Sequence, residues 1–156
     1  MSALAIAEET PISTCVRRLV GDLNDYLRPL SPPEFQFQLT AEQMAEPGVT
    51  VFVVRDAGGE AVGLGALKAH DGEFGEVKRM FCDPALRGSG IGWRILQAVE
   101  AKARALGLRR LALETGATTG FEPAWALYER AGFSRCGAFL DYPDSGYSRF
   151  YEKNLI

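Results

Sequence analysis

The sequence predicts a mixed α/β fold, in which an antiparallel meander gives way to a β-α-β crossover around one mixed sheet. Three observations predict it. The stretch Val49 to Cys82 holds three β-rich runs divided by the turn signals Ala57-Gly58-Gly59-Glu60 and Asp71-Gly72. Strands joined so tightly pair antiparallel. The period then changes: Ile91, Ile95, Val99, Ala103 and Leu106 form one apolar stripe, with Arg94, Gln97 and Arg104 opposite, the signature of a helix. The run Arg109 to Glu114 is again strand-like. A strand regained through a helix lies parallel to the one before it, with a right-handed crossover.

Taken in order, Leu4 to Ala7 forms a first strand. Thr10 and Pro11 supply an N-cap and a first helical residue. Ile12, Cys15, Val16, Leu19, Val20, Leu23 and Leu27 follow at three- and four-residue steps, an amphipathic helix that ends before Pro29. Three prolines between Arg28 and Phe37 make that segment a loop, and Ala41 to Ala45 a short helix. The meander strands are Val49 to Val54, Ala61 to Ala69 and Phe74 to Cys82, the last ended by Asp83-Pro84. Gly107 closes the crossover helix. Pro123 opens another, whose buried face carries Ala124, Leu127, Tyr128 and Ala131, and Gly132-Phe133 caps it. Phe133 to Cys136 and Ser148 to Lys153 are a closing pair of strands. The loop Phe139 to Tyr147 between them is rich in Tyr, Pro, Asp and Gly.

A chain of 156 residues, 47% hydrophobic and 24% charged, suits one domain over 1–156. It buries a core without staples. The net charge of -3 argues against nucleic acid as a partner. Cys15, Cys82 and Cys136 lack metal-ligand spacing, so reduced thiols and no metal are expected. No apolar run is long enough to cross a membrane, and Met1 to Ala7 lacks the plan of a secretory signal. A cytoplasmic location is expected.

The segment with most chemical character is Arg87-Gly88-Ser89-Gly90-Ile91-Gly92, between a strand and a helix start. Its bare backbone admits close approach, and helix-opening amides with the dipole behind them attract anions, phosphate above all. A plain tight turn explains the glycines as well. The spacing fits neither the G-x-G-x-x-G dinucleotide fingerprint nor a Walker loop. It does resemble the acyl-CoA loop of the GNAT superfamily of N-acetyltransferases, Arg/Gln-x-x-Gly-x-Gly/Ala, through Arg87, Gly90 and Gly92. Downstream, Ala124-Trp125-Ala126-Leu127-Tyr128-Glu129-Arg130-Ala131-Gly132-Phe133 is similar to the family's A-x-x-L-Y-x-x-x-G-F. The resemblance covers roughly Val49 to Phe133.

The resemblance implies a central sheet that splays open to admit CoA, with acetyl-CoA as co-substrate and no metal. Backbone groups of Met80, Phe81 and Cys82 would pair with the pantetheine amides like an added strand. Arg87, Gly88, Ser89, Gly90, Ile91 and Gly92 would hold the pyrophosphate. Tyr128 would aim its hydroxyl at the CoA sulfur as general acid, although its apolar neighbours fit a core residue too. Glu76 is the candidate base, on the alternating face shared with Lys78 and Met80. Glu73 and Glu114 are its rivals, and a solvated carboxylate is an equal explanation. His70, the chain's one histidine, reads as a surface residue. Lys78 and Arg79 would meet a substrate carboxylate or solvent, and Tyr26, Phe35, Phe37, Tyr142 and Tyr147 would line an acceptor pocket or a core. Phe121 departs from the family, where asparagine is common and contacts CoA. The expected function is acetyl transfer to a small-molecule amine by direct attack. Peptide or protein acetylation and a non-catalytic acyl-CoA-binding module are the alternatives. Membranes and nucleic acid are not expected partners, and a homodimer is left open.

Overall fold

The structure is a computed structural model, and it describes residues 4–9, 14–27, 29, 41–44, 46–70, 73–82, 86, 90–140 and 142–155. Its strands are β1 (Ala5–Glu8), β2 (Val49–Arg55), β3 (Ala61–His70), β4 (Phe74–Cys82), β5 (Arg110–Gly116), β6 (Ser134–Cys136) and β7 (Ser148–Asn154). Its helices are α1 (Thr14–Leu27), α2 (Ala41–Met44), α3 (Ile91–Ala105) and α4 (Glu122–Arg130). The start of α1 at Thr10-Pro11, the loop of residues 28–37, and the turns at Asp71-Gly72 and Asp83-Pro84 lie wholly or largely outside the described residues.

The strands form one seven-stranded sheet in the order β1-β2-β3-β4-β5-β7-β6. Every neighbouring pair is antiparallel except β4 and β5, which run parallel on either side of the α3 crossover. The mixed fold expected from the sequence is therefore the one observed. The closing strands do pair, but β7 enters between β5 and β6. Strand order is a tertiary choice that local pattern does not carry.

Alternation along the strands divides the core in two. On β2, Phe52 and Val54 join the cluster under α3 and α4, which includes Leu67, Val77, Ile91, Ile95, Val99, Leu111, Leu113, Tyr128 and Tyr151. Val51 and Val53 join the opposite cluster, with Leu19 of α1, Met44 of α2, Leu64, Ala66 and Phe81. The α3 face is close-packed because β3 lacks β-carbons where the helix crosses. A β-carbon on Gly63 would lie 2.6 Å from Ile91, and one on Gly65 would strike Ile95 and come within 2.7 Å of the Met80 sulfur.

Two irregularities shape the middle of the sheet. The β3–β4 ladder pairs Ala66 with Lys78 but Leu64 with Phe81. One residue of β3, Gly65, therefore faces two of β4, Arg79 and Met80, which is a β-bulge. Beyond it the alternation of β4 is reversed. Phe81 packs with the α1 cluster, while Met80 and Cys82 pack with the α3 cluster. Met80 thus does not share the face of Glu76 and Lys78, as unbroken alternation predicts. The second irregularity is a split. β4 and β5 pair from Phe74–Arg110 only to Val77–Leu113, and their remaining residues, Lys78 to Cys82 and Glu114 to Gly116, diverge. This is the splayed sheet that the resemblance implies.

Candidate active site

The split presents three charged side chains on the face opposite α3. Register places Glu76 beside Ala112 and opposite Lys68, and Lys78 opposite Ala66. Glu76 is 3% exposed, and a buried carboxylate must be satisfied by donors. Here it has three. His70 Nε2 lies 3.0 Å from Oε1, while Lys78 Nζ at 3.3 Å and the Tyr142 hydroxyl at 2.5 Å both donate to Oε2. Lys78 also donates to the Tyr142 hydroxyl at 2.6 Å and sits over its ring. Burial, and then the hydrogen bond to Glu76, push the Tyr142 phenol far above its ordinary range.

Glu114 lies just past the end of the β4–β5 ladder. It accepts a 2.6 Å hydrogen bond from the Ser148 hydroxyl of β7. Burial raises its pKa above the usual carboxylate value, against the opposing pull of Ser148 and Lys78, and Glu76 adds to the rise. The wall beside these groups is aromatic. Phe139, Tyr142 and Phe150 meet with centroids 5.3 to 6.0 Å apart, and Phe74 joins Phe139 edge-on.

Tyr128 approaches from the other face. It is fixed by α4, whose N-terminus is docked on β5 when Trp125 Nε1 donates to Gly116 O at 2.7 Å. Its C-terminus ends at a left-handed Gly132, with Phe133 N–H returning to Tyr128 O at 3.0 Å. The Tyr128 ring packs against Phe133 and Tyr151, centroids 6.0 Å away. The residue is 6% exposed, and its hydroxyl makes no hydrogen bond among the described residues. Burial, with the negative charge of Glu114 next, lifts its pKa far above the ordinary phenol value. The reading of Tyr128 as a core residue thus holds, and its oxygen has no hydrogen-bond partner among the described residues.

Of the glycine loop, Arg87, Gly88 and Ser89 lie outside the described residues. Gly90 is the N-cap of α3, left-handed at φ 83°, with no side-chain cap hydrogen bond among the described residues, and a β-carbon there would meet nothing within 4 Å. Ile91 is buried in the core. Gly92 lets α4 approach, since a β-carbon there would lie 2.7 Å from Leu127. Phe121 caps α4 at its N-terminus and lays its ring on Gly116. That packing occupies the position where the family commonly has asparagine.

Other expected residues are not brought here. Glu73 is exposed and faces Arg109 at 3.7 Å. Tyr147 is 39% exposed. The side chains of Tyr26 and Arg79, and all of Phe35 and Phe37, lie outside the described residues. The residue that sequence reasoning undervalued is His70. The signal was the β3–β4 hairpin itself: with His70 opposite Phe74, period two sets it diagonal to Glu76 on one face.

Comparison with known proteins agrees with this geometry. The sequence model of the Acetyltransferase (GNAT) family matches residues 16–133. The IAA acetyltransferase of Azospirillum brasilense is 40% identical over 156 residues, covering 99% of this chain and 100% of that protein. YsnE of Bacillus subtilis (strain 168), an uncharacterized N-acetyltransferase, is 37% identical over 89% of this chain and 93% of its own. Among solved structures, one from Klebsiella pneumoniae subsp. pneumoniae MGH 78578, assigned to the acyl-CoA N-acyltransferases, superposes with a TM-score of 0.82 at 33% identity over 98% of both chains. An aminoglycoside 6'-N-acetyltransferase complexed with coenzyme A shares the fold, with a TM-score of 0.74 at 18% identity over 97% of both chains. The split sheet, the bulge beside it and these relatives lead to one conclusion: the chain belongs to the GNAT family and is an acyl-CoA-dependent N-acetyltransferase.

Proposed function

We propose that the chain transfers the acetyl group of acetyl-CoA to the amine of a small acceptor by direct attack, with Glu76 as general base and Tyr128 as general acid. The observation that carries this reading is the split between β4 and β5, with a buried carboxylate network on one face and, on the other, a tyrosine hydroxyl that has no partner among the described residues. The donor fits the residues present. The uncapped amides of α3 behind Gly90 suit the pyrophosphate, in company with Arg87, Gly88, Ser89, Ile91 and Gly92. The strand edge of Met80, Phe81 and Cys82, freed from β5, suits the pantetheine amides. Bound there, acetyl-CoA supplies an activated thioester.

The chain's own residues manage two protons. Glu76 takes one from the attacking amine, directly or through water. Tyr128 gives one to the departing thiolate. A phenol lifted by burial is protonated when the thiolate departs, and desolvation in the same site makes that thiolate more basic than in water. The aromatic wall of Phe139, Tyr142 and Phe150 suits a small, flat acceptor.

The test measures thiol release from acetyl-CoA across a panel of amines and, separately, with IAA, which the name of the Azospirillum relative gives as its acceptor. Glu76→Gln is expected to lower kcat roughly 10²–10⁴-fold and to leave the acetyl-CoA Kd unchanged. Full activity in Glu76→Gln, with loss in Glu114→Gln, would move the base to Glu114.

A further inference from the structure

We propose that His70 is the positioning residue of Glu76, the group that fixes the orientation of that carboxylate for proton transfer. The inference rests on the reading of Glu76 as base. An ionised carboxylate only accepts hydrogen bonds, and it has about four sites for them. Lys78 and Tyr142 hold Oε2. His70 holds Oε1 at 3.0 Å. The remaining site is therefore on Oε1, the oxygen His70 orients.

The geometry fixes the tautomer. Nε2 must carry hydrogen to donate to the carboxylate, so Nδ1 is the ring's acceptor. Nδ1 has no partner among the described residues, and the side chain is 21% exposed. The ring itself is held, stacked on Phe74 at 5.2 Å with planes 26° apart. Held by its ring face and by the bond to Oε1, the imidazole fixes that oxygen in place.

The other charged and titratable groups around this pair are Lys78 of β4, Tyr142 of the β6–β7 loop, Glu114 of β5, Lys68 two residues earlier on β3, and Arg110 of β5. Arg110 lies 5.0 Å over the same Phe74 ring. None of them touches the ring nitrogens of His70.

Two variants separate the roles. His70→Phe keeps a ring on Phe74 and loses the donor. Its kcat should fall roughly 10- to 100-fold, the worth of a misplaced catalytic group, with the acetyl-CoA Kd unchanged. His70→Gln keeps an N–H donor and should recover most of kcat. The amine is whichever panel member gives the fastest thiol release. A second measurement needs no acceptor. The chain has one histidine, so its imidazole NMR resonance needs no assignment. The resonance should move in Glu76→Gln, which changes the hydrogen-bond partner of Nε2. An unmoved resonance in Glu76→Gln, or the parent's kcat in His70→Phe, overturns the proposal. Full activity in Glu76→Gln sinks the base reading and this inference together. An inactive Glu76→Gln with an unmoved imidazole resonance sinks this inference alone.

Discussion

Tyr128 shows what a single oxygen can be asked to do. Tyr128→Phe keeps the ring that packs on Phe133 and Tyr151 and removes a hydroxyl that no described residue satisfies. Stability should be unchanged or slightly improved, since a buried unpaired hydroxyl costs free energy. The rate, with chemistry limiting, should fall roughly 10²–10⁴-fold, while the acetyl-CoA Kd moves little. Pre-steady-state kcat and the thermal midpoint decide the matter: a change in kcat under about threefold would reduce Tyr128 to packing. Glu114 makes a prediction about pH. Burial raises its carboxyl in the folded state, so between its unfolded and folded pKa values the native state binds more protons. Stability from this group is full below the unfolded pKa and is lost as pH rises through the folded one. Glu114→Gln, which can still accept from Ser148, should melt higher than the parent at pH 7 and lose that advantage near pH 4. Parallel melting curves across that range would contradict the shift.

At the level of elements, the packing of α3 on β3 is set by what β3 leaves out. Gly65→Val would push side-chain atoms into Ile95 and Met80, and overpacking of this kind costs about 1–3 kcal/mol. A urea titration should show a lower midpoint at unchanged slope; an unchanged midpoint would mean that α3 can retreat. The sequence made the elements plain where period and punctuation agreed. The stripe Ile91 to Leu106 became α3, Gly107 and Gly132 stand left-handed just past the ends of α3 and α4, and the parallel return of β5 followed from the crossover. The bulge was not visible, because Phe74 to Cys82 reads as an unbroken strand and the extra residue is registered only against β3. That is why Met80 was expected on the wrong face. His70 was hidden for a related reason: its importance comes from a diagonal neighbour across a turn, not from any residue next to it in sequence.

For the molecule as a whole, ligand and fold are linked by mass action. Acetyl-CoA at a hundred times its Kd should stabilise by about 2.7 kcal/mol, a rise in Tm of roughly 5–10 °C for a chain of this size. Glu76→Gln and Tyr128→Phe should keep that rise. Gly90→Val should lose it, and its own ligand-free Tm separates lost binding from the strain of a β-branched residue at φ 83°. A full shift in Gly90→Val would remove the α3 N-terminus from the donor site. The strand order has a consequence of a different sort, felt while the chain is being made. β7 is synthesised after β6, yet it seals the edge of β5 and gives β6 its sheet neighbour. At translation rates of about 5–20 residues per second, the far edge of β5 waits on the order of seconds, bare and apolar, for the strand that covers it. In that interval the nascent chain offers other chains an open template, closed only when β7 emerges.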